Sequence, residues 1–327
     1  MQADPRRIRE ALRHAVSLPA GGWFVVDATR HIGKGPTRYQ VAERFIVVWR
    51  DGPRIRMGFD ECPHMGASLS EGRVCRGKLV CPWHGLSLSE RAHRSWQPLR
   101  VHDDGVLTWV RLDDSSERTS LTDAPILPAR PARHVEATIR VEARCEPHDV
   151  IANRLDPWHG VHFHPQVFAH LEVMQATPQR LDLRVQYRLL GRVVIEVDAT
   201  FHCPEPRTIV MTIVQGEGEG STVETHATPI TRGRTAVIES TFATSERRAF
   251  QLILRVARVV RPYIAYTARG LWKQDAAYAE RLYALRRGAL NWHWRDETGA
   301  PPLLREDGNL NAFDGCSPQC KDETIVD

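Results

Sequence analysis

The chain has 327 residues, of which 42% are hydrophobic and 26% charged, and a formal net charge of +4. That length supports two domains with separate cores, and the charge is too slight to point to nucleic acid. No apolar run approaches the roughly eighteen residues that a membrane span needs, and the basic N-terminus is followed by no continuous apolar stretch, so no signal peptide is expected.

Ile8, Leu12, Ala15 and Val16 recur at helical spacing and predict a short amphipathic helix within residues 1–21. Residues 22–112 read as short strands: Trp23–Asp27, Arg44–Arg50, Arg54–Phe59, Leu79–Cys81 and Val106–Arg111. Asp51-Gly52-Pro53 and Asp104-Gly105 punctuate them, which predicts a small antiparallel barrel or sandwich. Residues 113–134 are polar, contain Pro125, Pro128 and Pro131, and read as a linker. A second domain over 135–298 opens with a strand at Ala137–Ala143 and a helical or turn-rich segment from Asp149 to His164. Strands follow at Leu181–Leu190, Val193–Phe201, Thr208–Gln215, Thr222–Thr228 and Thr235–Thr241, with hairpin turns at Gly191 and Thr231-Arg232-Gly233. Two helices, Glu246–Arg261 and Leu271–Arg287, close the domain, and 299–327 is a polar tail. The order indicates α+β.

The densest chemistry lies in the first domain. Cys62-Pro63-His64 is followed after sixteen residues by Cys81-Pro82-Trp83-His84-Gly85. Each loop offers one thiolate and one imidazole. A structural zinc site also uses two Cys and two His, but normally pairs like with like in sequence. A Rieske-type [2Fe–2S] cluster uses Cys on one iron and His on the other. Gly66 and Gly85, just beyond the ligands, let backbone amides turn towards the sulfurs. Of the other cysteines, Cys75, Cys145 and Cys203 read as free thiols, and the Cys316/Cys320 pair in the tail is given no role.

CPHMGA followed by CPWHG resembles the Rieske non-haem iron oxygenases. Respiratory Rieske proteins carry two further cysteines that form a disulfide; those positions here are Ala67 and Trp83, which agrees with a reducing cytoplasm. The resemblance implies a helix-grip catalytic domain with a mononuclear Fe(II) held by a 2-His-1-carboxylate triad. The stretch Asp156-Pro157-Trp158-His159-Gly160-Val161-His162-Phe163-His164-Pro165 fits the family pattern D-x-x-H-x4-H at Asp156, His159 and His164. An ideal helix favours a different pair: His159 and His162 lie about 60° apart, His159 and His164 about 140°. Gly160 and Pro165 argue for an irregular helix, and the resemblance carries the choice of His164. The third ligand implied by the resemblance is Asp275, 111 residues beyond His164, which makes the domain shorter than in many relatives. Asp275 also falls in the middle of an apolar helical face, whereas Glu280 falls on the polar face. A buried carboxylate wants a cation, so a metal competes with a salt bridge to an Arg.

In the family an Asp at the position of Asp156 bridges a cluster His of one subunit to an iron His of its neighbour. Here that implies His84 of one chain, His159 of the next, and a head-to-tail homotrimer. A plainer role for Asp156 is a helix N-cap before Pro157. The implied function is oxygenation of a small apolar organic substrate with O2, by hydroxylation, demethylation or dihydroxylation. Electrons would come from a ferredoxin or an NAD(P)H-dependent reductase, because no dinucleotide fingerprint is present. The alternative is a Rieske electron carrier whose second domain binds a partner or lipid. The stretch Phe250–Tyr263 reads first as a core helix with a basic outer edge and second as a face that touches a membrane peripherally.

Overall fold

The computed structural model describes residues 4–112, 122–189, 193–247 and 250–288. Asp4 accepts from the backbone N–H groups of Arg6 and Arg7 and caps α1 (Pro5–Ser17). Ile8, Leu12 and Ala15 are buried, while Val16 lies outside the apolar stripe and is exposed.

The first domain is built of three small antiparallel sheets. One pairs β1 (Trp23–Ala28), β8 (Arg100–Asp103) and β9 (Leu107–Arg111); the second pairs β2 (Thr37–Val41), β3 (Arg44–Asp51) and β4 (Arg54–Phe59). The third, β5 (Arg73–Cys75), β6 (Lys78–Val80) and β7 (Ser87–Leu88), carries the loops with the CPH and CPWHG motifs at one tip. Trp49, Leu69, Leu79, Leu88 and Trp96 pack beneath those loops with Cys62 and Cys81.

The second domain is a seven-stranded antiparallel sheet. Its first strand, β10 (Val135–Ala143), lies at one edge and is followed by α2 (Pro147–Arg154) and α3 (His159–Phe163). A meander then runs from the far edge: β11 (Phe168–Ala176), β12 (Leu181–Leu189), β13 (Val193–Glu205), β14 (Thr208–Gly216), β15 (Thr222–Thr231) and β16 (Arg234–Ala243), the last closing on β10. Helices α4 (Phe250–Arg255) and α5 (Ala257–Arg286) follow. The indole N–H of Trp272 on α5 donates to Glu239 of β16, with both side chains buried, and this pins the helix to the sheet.

Several elements depart from the sequence reading. β11 was not expected; Leu171 and Val173 face the core and His170, Glu172 and Met174 face outwards, but register shifts at both ends cut this alternation short. β2 is largely polar, and β5 and β7 are too short to show a pattern. The helix break falls at Val256 instead of between Arg261 and Leu271. Pro262 lies inside α5, where the ring withdraws one donor, and Thr267 bonds back to the carbonyls of Tyr263 and Ile264. The expectation of a core helix at Phe250–Tyr263 fails beyond Phe250: Leu252, Ile253, Val256, Val259 and Tyr263 are all exposed. The first nine residues of the linker, Gly191, the Cys316/Cys320 pair and the tail 299–327 lie outside the described residues.

The two β layers are joined by packing and by a buried ion cluster. Trp23, Val25, Leu107 and Trp109 share a core with Ile230, Ala236 and Ile238. Arg130 forks onto Glu224 of β15 at 2.6 and 2.7 Å and reaches Asp104 of the β8–β9 turn at 2.9 Å. Burial pushes the Glu224 carboxyl up, but Arg130 and His226 outweigh it and hold the group below its ordinary 4.5. The stability it contributes is complete above about pH 4.5 and is lost as pH falls through the depressed folded value. Glu224→Gln is expected to cost about 3–5 kcal/mol at neutral pH. Its Tm should also fall less than that of the natural chain on acidification below pH 4.5; parallel curves would refute the assignment.

Candidate metal centres

At the tip of the first domain the two motif loops share one hydrogen-bond pattern. Cys62 N–H donates to the Ala67 carbonyl and Gly66 N–H to the Cys62 carbonyl; Cys81 N–H donates to Leu86 and Gly85 N–H to Cys81. Gly66 and Gly85 hold φ values of 75° and 71°, a conformation that side chains disfavour. Both thiols are buried and face one another. The amides of His64 and Met65 point at the Cys62 sulfur, and those of Trp83 and His84 at the Cys81 sulfur. The imidazoles of His64 and His84 are exposed, with ring centroids 4.8 Å apart. Thiols below, imidazoles above and amides aimed at sulfur fit a [2Fe–2S] group with one iron on each ligand type. Trp83 and Met65 lie exposed beside them.

Asp60 supports this tip and was not singled out in the sequence. Its buried carboxylate accepts from Arg38 Nε at 2.6 Å and from the Ser70 backbone N–H and hydroxyl at 2.6 and 2.7 Å. It therefore ties the strand before Cys62 to the segment after it.

In the second domain His159, His164 and Asp275 come together, with ligand-type atoms all within 4.8 Å of one another. Asp275 Oδ1 lies 2.8 Å from His164 Nε2 and 3.3 Å from His159 Nε2, and accepts from Asn153 Nδ2 at 3.3 Å. The ideal-helix argument fails because α3 ends at Phe163. His164 takes φ −124° and ψ 51° as its C-cap, which turns the imidazole inwards. His162, the helical alternative, is exposed. His164 Nδ1 pairs with Gln274 Oε1 at 2.7 Å and must donate there, which leaves Nε2 free to face Asp275.

Burial would push the His159 imidazole down and the Asp275 carboxyl up. The carboxylates of Asp156 and Asp275 outweigh this and raise His159 to about 9, and the two imidazoles hold Asp275 well below the usual carboxylate range. Among the described residues, Asn153 Oδ1 and His159 Nδ1 are buried without hydrogen-bond partners. Two imidazoles and one carboxylate converging at the wall of a cavity are the donor set of a facial triad with open positions.

Asp156 is buried, accepts from the Trp158 N–H at 3.1 Å and from the Tyr278 hydroxyl at 2.9 Å, and lies 3.7 Å from His159 Nδ1. It is not the N-cap of α3, which is Trp158, so the capping role is replaced by a turn two residues earlier. Burial first and the Asp156 carboxylate second raise the Tyr278 phenol, which keeps it a donor to Asp156. Glu280, set aside from the apolar face, accepts instead from the Arg144 backbone N–H at 2.8 Å. The triad opens into a cavity lined by apolar side chains including Phe168, Leu171, Leu183, Phe201 and Met211, and by Arg154. Asn153, Arg154, Gln274 and Tyr278 lie within the two candidate stretches of the sequence, but their residue types and spacing assigned them no role of their own.

Residues 116–290, more than half of the chain, match the family described as "Domain of unknown function (DUF5914)", and residues 22–103 match the Rieske [2Fe-2S] domain. A vanillate O-demethylase oxygenase subunit from Pseudomonas sp. (strain HR199 / DSM 7063) is 40% identical over 73 residues, 22% of this chain and 20% of the relative. The oxygenase component of chloroacetanilide N-alkylformylase from Rhizorhabdus wittichii (strain DC-6 / KACC 16600) is 25% identical over 182 residues, 48% of this chain and 50% of the relative. The chain thus spans between a fifth and a half of these relatives' lengths. Among solved structures, dicamba monooxygenase bound to dicamba shares the fold with a TM-score of 0.65 at 16% identity, over 88% of this chain and 92% of that one.

Asp60→Ala is expected to cost about 2–3 kcal/mol, because it removes hydrogen bonds to a buried charged group. It should also speed release of iron from the tip in a chelator challenge, whereas unchanged release would show that Asp60 does not hold the loops.

Proposed function

We propose an activity for a chain that belongs to the DUF5914 family and, by its Rieske [2Fe–2S] domain and antiparallel second domain, to the Rieske non-haem iron oxygenases. The activity is oxygenation of an apolar organic substrate by hydroxylation, demethylation or dihydroxylation. The observation that carries it is the convergence of His159, His164 and Asp275 at the wall of an apolar cavity. A Rieske electron carrier has no need of such a set.

Cys62 and Cys81 would hold one iron of the cluster and His64 and His84 the other; His159, His164 and Asp275 would hold a mononuclear Fe(II). When bound, the cluster supplies single electrons and the Fe(II) supplies the site of O2 activation. The protein supplies the rest. Gln274 fixes the ring of His164, Asn153 steadies Asp275, and Asp156 orients His159 while Tyr278 holds Asp156. The apolar cavity walls limit water near the reacting atoms. The domain division is 22–112 for the Rieske part and 135–298 for the catalytic part.

Exposed His64, His84, Trp83 and Met65 make the tip suited to contact with another protein surface. One such surface would be a ferredoxin or an NAD(P)H-dependent reductase. Another would be the next chain of a head-to-tail trimer, in which Asp156 links His84 of one chain to His159 of its neighbour.

We also propose a peripheral membrane contact, which the exposed faces of α4 and α5 support. Leu252, Val256, Val259, Tyr263 and Tyr266 are 51–77% exposed and share one side at helical spacing. Arg255, Arg258 and Arg269 flank them, also exposed, and no acidic residue occurs from Phe250 to Lys273. An apolar stripe edged by cations matches an anionic lipid surface.

Two measurements test these readings. Fully reconstituted protein is expected to hold about three iron atoms and two acid-labile sulfides per chain. His159→Ala should drop to about two irons with the sulfides kept, and His162→Ala should keep about three; an iron content of about two that His159→Ala leaves unchanged would end the oxygenase reading. Separately, the protein should co-sediment with vesicles of phosphatidylglycerol, and Val259→Glu with Tyr263→Glu should abolish this; absence of binding by the natural chain would remove the membrane contact.

A further inference from the structure

Arg154 is the last residue of α2, and the residue before it, Asn153, donates to Asp275. Its backbone is therefore fixed against the metal-ligand set. Its side chain lines the same cavity as His159, His164 and Asp275. The guanidinium carbon sits 5.9 Å from the ring centroid of Phe201 on β13 and 5.9 Å from that of Trp272 on α5. Two aromatic faces from different elements thus hold the cation in place.

Among the described residues Arg154 Nε is buried without a hydrogen bond and the guanidinium makes no direct ion pair, although Asp275 and Glu239 feel its charge. The carboxylates whose charge it feels are each engaged elsewhere through one oxygen. Asp275 Oδ1 meets His159, His164 and Asn153, and Glu239 Oε2 accepts from the Trp272 indole and the Thr225 hydroxyl. A guanidinium carries five N–H donors in a planar fork. Here the Nε–H is buried without an acceptor among the described residues, which is costly, and the cost is removed by a ligand that brings one. Phe168, Leu171, Leu183, Val185 and Met211 make the rest of the wall largely apolar, and the Asp156 carboxylate that also lines it is held by the Trp158 N–H and the Tyr278 hydroxyl.

We propose that Arg154 is the specificity residue of the cavity and that the natural substrate is an apolar molecule bearing a carboxylate, which the guanidinium receives while the apolar body lies along the β11–β14 wall towards His159 and His164. This deepens the oxygenase reading and rests on it for the word substrate alone. A planar carboxylate matches the guanidinium fork in two parallel hydrogen bonds. The alternative is that Arg154 only offsets the charges of Asp275 and Glu239, in which case ligand charge makes no difference.

The test is equilibrium binding, which needs no turnover. Calorimetry without oxygen compares 2-naphthoate with 2-naphthamide, equal in shape and different in charge, on the reconstituted protein. The natural chain is expected to bind the carboxylate about tenfold or more tightly than the amide. Arg154→Gln should erase the preference while its amide affinity stays within about twofold, and Arg154→Lys should keep part of it, since a lysine supplies the charge without the fork. Repeating the titration on chelator-treated protein separates Arg154 from direct ligation to a metal, and the preference should survive. Equal affinity for the two probes, no saturable binding of the carboxylate, a preference retained by Arg154→Gln or one lost on chelation would each overturn the proposal. Iron content of the same samples reports on the metal reading independently.

Discussion

A buried carboxylate sets the terms for the second domain. Asp275 is 3% exposed and lies on the face of α5 that packs inwards with Trp272 and Ala279. An isolated carboxylate there would be strongly destabilising. Every neighbouring feature answers that demand: two imidazoles approach one of its oxygens, Asn153 donates to the same atom, and Arg154 adds positive charge nearby. The irregular end of α3 has the same origin. Only by leaving helical geometry at His164 can both histidines face one point.

The sheet supports the arrangement through α5. Trp272 is three residues before Asp275 and is bonded to Glu239 in the interior of β16, so the carboxylate is placed by a rigid strand as well as by its helix. Burial outweighs the pull of Arg154 and of its hydrogen bonds and holds the Glu239 carboxyl above its ordinary range. At the other side of the second domain, β15 carries Glu224 into the Arg130 cluster and Ile230 into the core shared with the first domain. One sheet thus positions both the candidate iron ligands and the domain that carries the cluster motifs. The first domain in turn keeps its thiols inside and its imidazoles outside, which leaves the histidine side of the tip open to a partner.

Much of this was legible in the residues. The two short motifs identify the tip because four ligand-type side chains at matched spacing are hard to explain otherwise. The α+β order and most long strands follow from alternation and turn residues. The apolar helical face picked out Asp275 over Glu280, and the structure places the two accordingly, one buried against histidines and one on a backbone amide. Other features were hidden for physical reasons. β11 alternates only over a few residues because its register shifts at both ends, and the short strands of the tip are fixed by contacts distant in sequence. The exposed stripe of α4 and α5 looked like core because hydrophobicity alone does not say whether a neighbour exists. The choice between His162 and His164 depended on a single backbone conformation that helical geometry could not supply. Asp60, Gln274 and Arg154 are ordinary residue types whose roles appear only from what they touch.

The central claim is that one chain holds two separate metal centres, a sulfur-bridged pair at Cys62, His64, Cys81 and His84 and a single ion at His159, His164 and Asp275. Anomalous diffraction at the iron edge, from crystals of the anaerobically reconstituted protein, tests it most directly. The account predicts iron density at the tip of the first domain and a separate peak bounded by His159 Nε2, His164 Nε2 and the Asp275 carboxylate. Density at the tip alone, with Asp275 still paired directly to the two imidazoles, would contradict it.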